Sequence, residues 1–101
     1  MKEKIEMPRG RYKIIRVDGT EIVRPNRPSI QKIQQEIGCE CCDTITLRRD
    51  PPIVMIVDDT GMVDHKPVNP KATELARAVF GPEYLYSIHG DVAIVNDEDF
   101  A

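Results

Sequence analysis

Ile53-Val54-Met55-Ile56-Val57, five apolar residues in a row, runs straight into Asp58-Asp59-Thr60-Gly61. Strand side chains alternate between the two faces of a sheet, so an unbroken apolar run must be buried on both. Five residues are short for a helix. The flanking Asp50-Pro51-Pro52 and the Asp-Gly segment are turn chemistry. The stretch reads as a central strand, and the rest of the chain is placed around it.

Toward the N-terminus, Thr44–Arg48 alternates as a half-exposed strand with Ile45 and Leu47 on one face. Ahead of it, Ser29 can cap a helix in which Ile30, Ile33 and Ile37 share a stripe, and Gly38 can end it in the left-handed region. Tyr12–Val17 and Thr20–Arg24 are rich in strand formers and flank Asp18-Gly19, which predicts a hairpin. Toward the C-terminus, Met62–Val68 is ambiguous, a short extended piece at most. Asn69 and Pro70 then stand at the N-cap and first-turn positions of a second helix. In it Ala72, Leu75, Ala76 and Val79 recur at helical spacing, Gly81-Pro82 stops it, and Ser87–Val95 ends the pattern as a buried strand.

The order ββαβ(β)αβ predicts an α+β domain: a single mixed β-sheet with two helices packed on it as a two-layer sandwich. Its expected core is Ile14, Ile33, Ile37, Leu47, Val54, Ile56, Leu75, Val79, Val92 and Ile94. Residues 1–10 read as an N-terminal tail, 11–97 as the domain, and 98–101 as an acidic tail; 101 residues leave no room for a second sizeable core.

Three segments of the second half carry a family resemblance. They are the strand Ile53–Val57 ending in Asp58-Asp59-Thr60-Gly61, the helix opening Asn69-Pro70-Lys71-Ala72-Thr73, and Gly90-Asp91-Val92-Ala93-Ile94-Val95. The chain resembles, over roughly residues 11–97, the domain-of-unknown-function family numbered thirty-eight forty-six, found in phages, plasmids and bacteria carrying mobile elements. Members usually leave the first helix through a Gly-rich exit, where this sequence has Gly38 followed by cysteines. The resemblance implies an accessory protein of a mobile element and brings no known activity.

Composition excludes several classes. The net charge of −3 is too small to demand a polyanionic partner. Charge is nevertheless uneven: eleven Lys and Arg against eight Asp and Glu in residues 1–50, then three against nine in residues 51–101. Two oppositely charged faces would favour self-association, which leaves a homo-oligomer open. Met1–Gly10 is charged throughout, unlike a signal peptide, and no apolar run approaches membrane length, so no membrane contact is expected. Cys39, Cys41 and Cys42 are odd in number and clustered, which is not a disulfide framework. A reducing, cytoplasmic setting in a bacterial host follows.

The chemistry-bearing residues assemble into no catalytic motif, and an enzyme is not expected. The cysteine cluster lacks the second ligand pair that a structural zinc takes, although His65 or His89 could complete a site in a metal- or thiol-dependent alternative. Asp58, Asp59 and Asp64 around Gly61 miss the ligand spacing of a calcium loop. Neither histidine neighbours a nucleophile in a known signature, and the six glycines are scattered singly rather than forming a phosphate cradle. Arg9, Arg11, Lys13, Arg16, Arg24 and Arg27 gather at the first hairpin, the basis of a nucleic-acid-binding regulatory alternative, but no aromatic residues interleave with them.

The favoured reading is a non-enzymatic accessory protein that binds a host protein or small ligand. It needs no cofactor and no metal. Rigid strands that end in polar loops present binding groups well, so Asp58, Asp59, His65, His89 and Asp91 are the candidate contact residues.

Overall fold

A computed structural model describes residues 10–25, 27–61, 64–84 and 86–100, with side chains for all of these but 99 and 100. The tail 1–9 with Arg9, the start of the ambiguous stretch at Met62 and Val63, and Ala101 lie outside the described residues. Strands β1 (Tyr12–Ile15), β2 (Glu21–Arg24), β3 (Cys42–Arg49), β4 (Pro52–Asp58) and β5 (Val92–Asn96) form one sheet in the order β2-β1-β5-β4-β3. Helix α1 (Ile30–Ile37) lies between β2 and β3 in sequence, and α2 (Pro70–Phe80) between β4 and β5. The α+β class and the single sheet with two helices are as expected.

Two features of the expected architecture are corrected. Every strand pairing is antiparallel, so the sheet is not mixed. The helices also lie on opposite faces, giving three layers rather than two. Ile33 and Ile37 of α1 pack with Tyr12, Ile14, Val54, Ile56, Ala93 and Val95. Ala72 and Ala76 of α2 pack with Ile15, Ile53, Met55, Val57, Val92 and Ile94. Odd and even residues of β4 and β5 thus enter different cores, which is what an unbroken apolar run requires.

Local chemistry sets the elements. In the first hairpin Tyr12 stands opposite Arg24 and Ile15 opposite Glu21. Its turn is held by Arg16 N–H to the Thr20 carbonyl at 2.9 Å and Thr20 N–H to Asp18 Oδ1 at 2.9 Å. Ser29 Oγ accepts from Lys32 N–H, and Gly38 ends α1 at φ 69°, a region costly for any residue with a Cβ. The Tyr12 hydroxyl donates to Glu36 Oε1 at 2.8 Å, tying α1 to β1, and burial together with that carboxylate raises its pKa. The expected core holds except on one side: Leu47 and Leu75 are half-buried against the α2 layer, and Val79 is 41% exposed. Small Ala72, Thr73 and Ala76 make the contact instead, bringing α2 close to the sheet. Asp97–Phe100, read as part of a tail, forms one 3-10 turn against β4 and β5.

Candidate functional site

Antiparallel pairing brings the C-terminal end of β4 beside the N-terminal end of β5, so Asp58 and Asp91 emerge at the same end of the sheet. The polar residues singled out in the sequence gather here, but most of them face inward.

Asp58 is buried at the end of β4, where Lys66 Nζ pairs with its Oδ2 and Thr60 donates from N–H and Oγ to its Oδ1. Burial alone would raise its pKa. The bonds from Lys66 and Thr60 outweigh that and hold the carboxyl below the ordinary aspartate range. The same ammonium donates to the carbonyls of Gly38 at 2.6 Å and Ile37 at 3.4 Å. A cation there satisfies the exposed carbonyls at the end of α1 and complements its dipole. Lys66 therefore bolts the loop after β4 to the helix on the α1 face.

His89 is fixed through both ring nitrogens. Nδ1 lies 2.7 Å from the Lys66 carbonyl, which can only accept, so Nδ1 carries the proton, and Nε2 is 3.0 Å from Ser87 Oγ. Gly61 packs so closely on this segment that a Cβ would sit 2.7 Å from the His89 carbonyl oxygen. Asp91 accepts from Val17 N–H at 3.0 Å and from Arg16 Nη1 at 3.2 Å.

Asn69 links these pieces. Its Oδ1 caps α2 by accepting from Ala72 N–H at 3.1 Å, as the sequence predicts. Its Nδ2 donates to the carbonyls of Ile15 at 2.9 Å and Gly90 at 3.0 Å, joining α2 to the ends of β1 and β5. The residue is fully buried. Of the five candidate contact residues, Asp58, His89 and Asp91 thus hold the loops together. Asp59 and His65 are exposed on the same loop, with His65 at φ 60°.

The cysteine reading is corrected. Cys39 and Cys42 form a disulfide that joins the end of α1 to the start of β3, and Cys41 between them is an exposed free thiol. The turn after Gly38 brings the two Cα atoms to 6.2 Å, within bridging range. Among the described residues no three His, Cys, Asp or Glu side chains converge in a way that could hold a metal ion. At the basic hairpin, Lys13 pairs with Glu21, Arg16 with Asp91 and Arg24 with Glu36, so half of that cluster is neutralised within the chain.

A second region was not singled out in the sequence. Phe80, Tyr84 and Tyr86 assemble beyond the C-terminal end of α2: the Phe80 and Tyr84 rings stack at 5.1 Å, and Tyr86 meets Tyr84 edge-on at 5.8 Å. Phe80 is 55% exposed and Tyr86 70%. Arg77 Nε donates to the Tyr84 carbonyl at 3.3 Å and holds this segment against the helix. Next to it, Val79 and Phe80 form one wall of a depression of about 510 Å³ that runs along β3 from Thr44 to Arg49. The only signal in the sequence is the short spacing of Phe80, Tyr84 and Tyr86 around Gly81-Pro82.

No family model, curated protein or solved structure matches the chain. Among the described residues no helix is long and apolar enough to cross a membrane.

Proposed function

We propose that this chain is a non-enzymatic binding protein that engages a protein partner through the surface made by the end of α2, the three aromatic rings and the outer strand β3. The observation that carries this reading is the aromatic cluster: three of the five aromatic side chains of the chain meet at the surface, two of them more than half exposed. Large, rigid, partly polar rings are the side chains that dominate binding energy at interfaces, and arginines such as Arg48 and Arg49 are their usual companions. Tyr84 packs in part on the core, but the exposed faces of Phe80 and Tyr86 add little to the stability of a monomer, and a contiguous patch of such faces marks a contact site. The polar loops at the other end support the same assignment, because Asp58, His89 and Asp91 already have partners within the chain. The family resemblance supplies a setting, in which the partner is a host protein and the chain an accessory of a phage or other mobile element.

The test compares two folded double variants with the wild type in capture from bacterial host extract. Phe80→Ser/Tyr86→Ser is expected to lose a stoichiometric protein partner, while Asp59→Lys/Asp64→Lys retains it. Loss with the aspartate variant and retention with the aromatic one would move the site to the loop after β4.

A further inference from the structure

Resting on that reading, we propose that the partner presents an extended acidic segment, which lies along the free edge of β3 as a sixth strand. β3 is one of two edge strands, and it is twice as long as the other, with eight residues against four in β2. The register defines which of its backbone groups point outward. Asp59 N–H donates to the Cys41 carbonyl at 2.9 Å, so 41 and 59 stand at a hydrogen-bonding position of the ladder. By alternation 43–57 and 45–55 also do, whereas Cys42, Thr44 and Thr46 direct their N–H and C=O away from β4. Asp43 Oδ1 takes the Thr44 N–H at 2.8 Å. Further along, a bulge between Thr46 and Arg48 bends the strand. Both devices guard an edge against indiscriminate pairing, and between them the Thr44 carbonyl and both main-chain groups of Thr46 have no partner among the described residues.

This open stretch is also where the depression lies. Ile45 and Leu47 line it on the strand side, Val79 and Phe80 on the helix side, and Arg48 and Arg49 close one end. An edge strand facing a helix across a groove of mixed polar and apolar lining is a geometry suited to strand addition, in which main-chain bonds give affinity and alternate side chains give selectivity. The charge of the lining chooses the occupant: among the described residues it holds two guanidinium groups and no carboxylate, in a chain whose net charge is −3. An acidic strand with apolar residues at alternate positions sets those residues against Ile45, Leu47 and Val79 and brings its carboxylates within reach of the arginines, of which Arg48, opposite Ile53, is on the α2 face and Arg49, opposite Pro52, on the other.

The experiment uses the isotope-labelled full chain and a capped hexapeptide alternating Glu and Val. Added peptide should shift the amide signals of Thr44–Arg49, Val79 and Phe80, and slow hydrogen exchange at the Thr46 amide at least roughly tenfold. Arg48→Glu/Arg49→Glu, both at exposed positions, should weaken the peptide at least roughly tenfold, and a Lys/Val peptide should not bind. Unchanged Thr46 exchange at saturating peptide, or equal binding of the Lys/Val peptide, overturns the proposal. So does Thr46 protection that grows with protein concentration alone, which means a second copy, or protection by oligothymidylate in place of peptide. If the peptide fails but the captured partner is still lost from Phe80→Ser/Tyr86→Ser, strand addition falls and the binding reading stands. If the partner ignores that variant too, both fall.

Discussion

The two ends of the sheet are opposites. Where β4 and β5 meet the loops, the residues are the kind usually picked as functional, with acids, histidines, a lysine and a buried Asn, and Asp58, Lys66, Asn69, His89 and Asp91 are all bonded to another part of the chain. Beside β3 the groups are plainer, with three rings, the side chains of Ile45, Leu47 and Val79, and a strand edge without a partner among the described residues, and Val79, Phe80 and Tyr86 face solvent. Polarity in a sequence reports a need for partners without saying whether those partners are internal. Satisfied polar groups are architecture. Unsatisfied edges and exposed rings are what remain for another molecule.

Substitutions that cost stability at one end and leave it untouched at the other sharpen that contrast. The largest effect is expected from Asn69→Ala, which removes a helix cap and takes the donor from two carbonyls. A loss of about 3 kcal/mol should appear in urea denaturation, and a loss under about 0.5 kcal/mol would contradict the central role given to Asn69.

Asp58→Asn should cost about 2 kcal/mol by breaking the bond to Lys66 and slackening the end of α1. This term has a definite pH dependence. The folded carboxyl titrates below its unfolded value of about 4, so its contribution is complete above that pH and is lost as pH falls below it. Wild type should lose stability through that range more steeply than Asp58→Asn, and parallel profiles would break the assignment.

Reduction of Cys39–Cys42 releases a loop of about four residues, for which chain entropy predicts roughly 2 kcal/mol or less. Alkylation before reduction should tag one thiol, Cys41, and after reduction three; three tags at the outset would remove the bridge from the comparison. The smallest change is expected at the open end, where Phe80→Ser/Tyr86→Ser should leave stability within about 0.5 kcal/mol of wild type. A large loss there would make the aromatic cluster part of the core.

The strands, helices and caps were legible because they rest on local chemistry: alternation in Thr44–Arg48, Asp18-Gly19 between two runs of strand formers, and Asn69-Pro70 opening α2. Even the three-layer arrangement was implied by the unbroken apolar run of Ile53–Val57, which needs cover on both sides. The two-layer expectation followed element order and overlooked that demand. Lys66 was not legible, since its partners Asp58 and Gly38 lie 8 and 28 residues away and meet only in the fold. The aromatic cluster was hidden for the same reason. Val79 looked like core because helical spacing gives a stripe but not its width: Ala72, Thr73 and Ala76 are the buried residues of α2, and Val79 is left 41% exposed beside β3.

The position of β5 has a consequence for the order in which the molecule can assemble. β1 with β2, and β3 with β4, are hairpins of neighbours in sequence, and each can pair as soon as it has been synthesised. The strand that joins them, β5, follows the other four in sequence. Until Val92–Asn96 leaves the ribosome, the inner edges of β1 and β4 stay unzipped and neither hydrophobic layer is continuous. Folding must therefore wait for β5, and a nascent chain halted before residue 92 should remain two disconnected ribbons, open to proteases and chaperones.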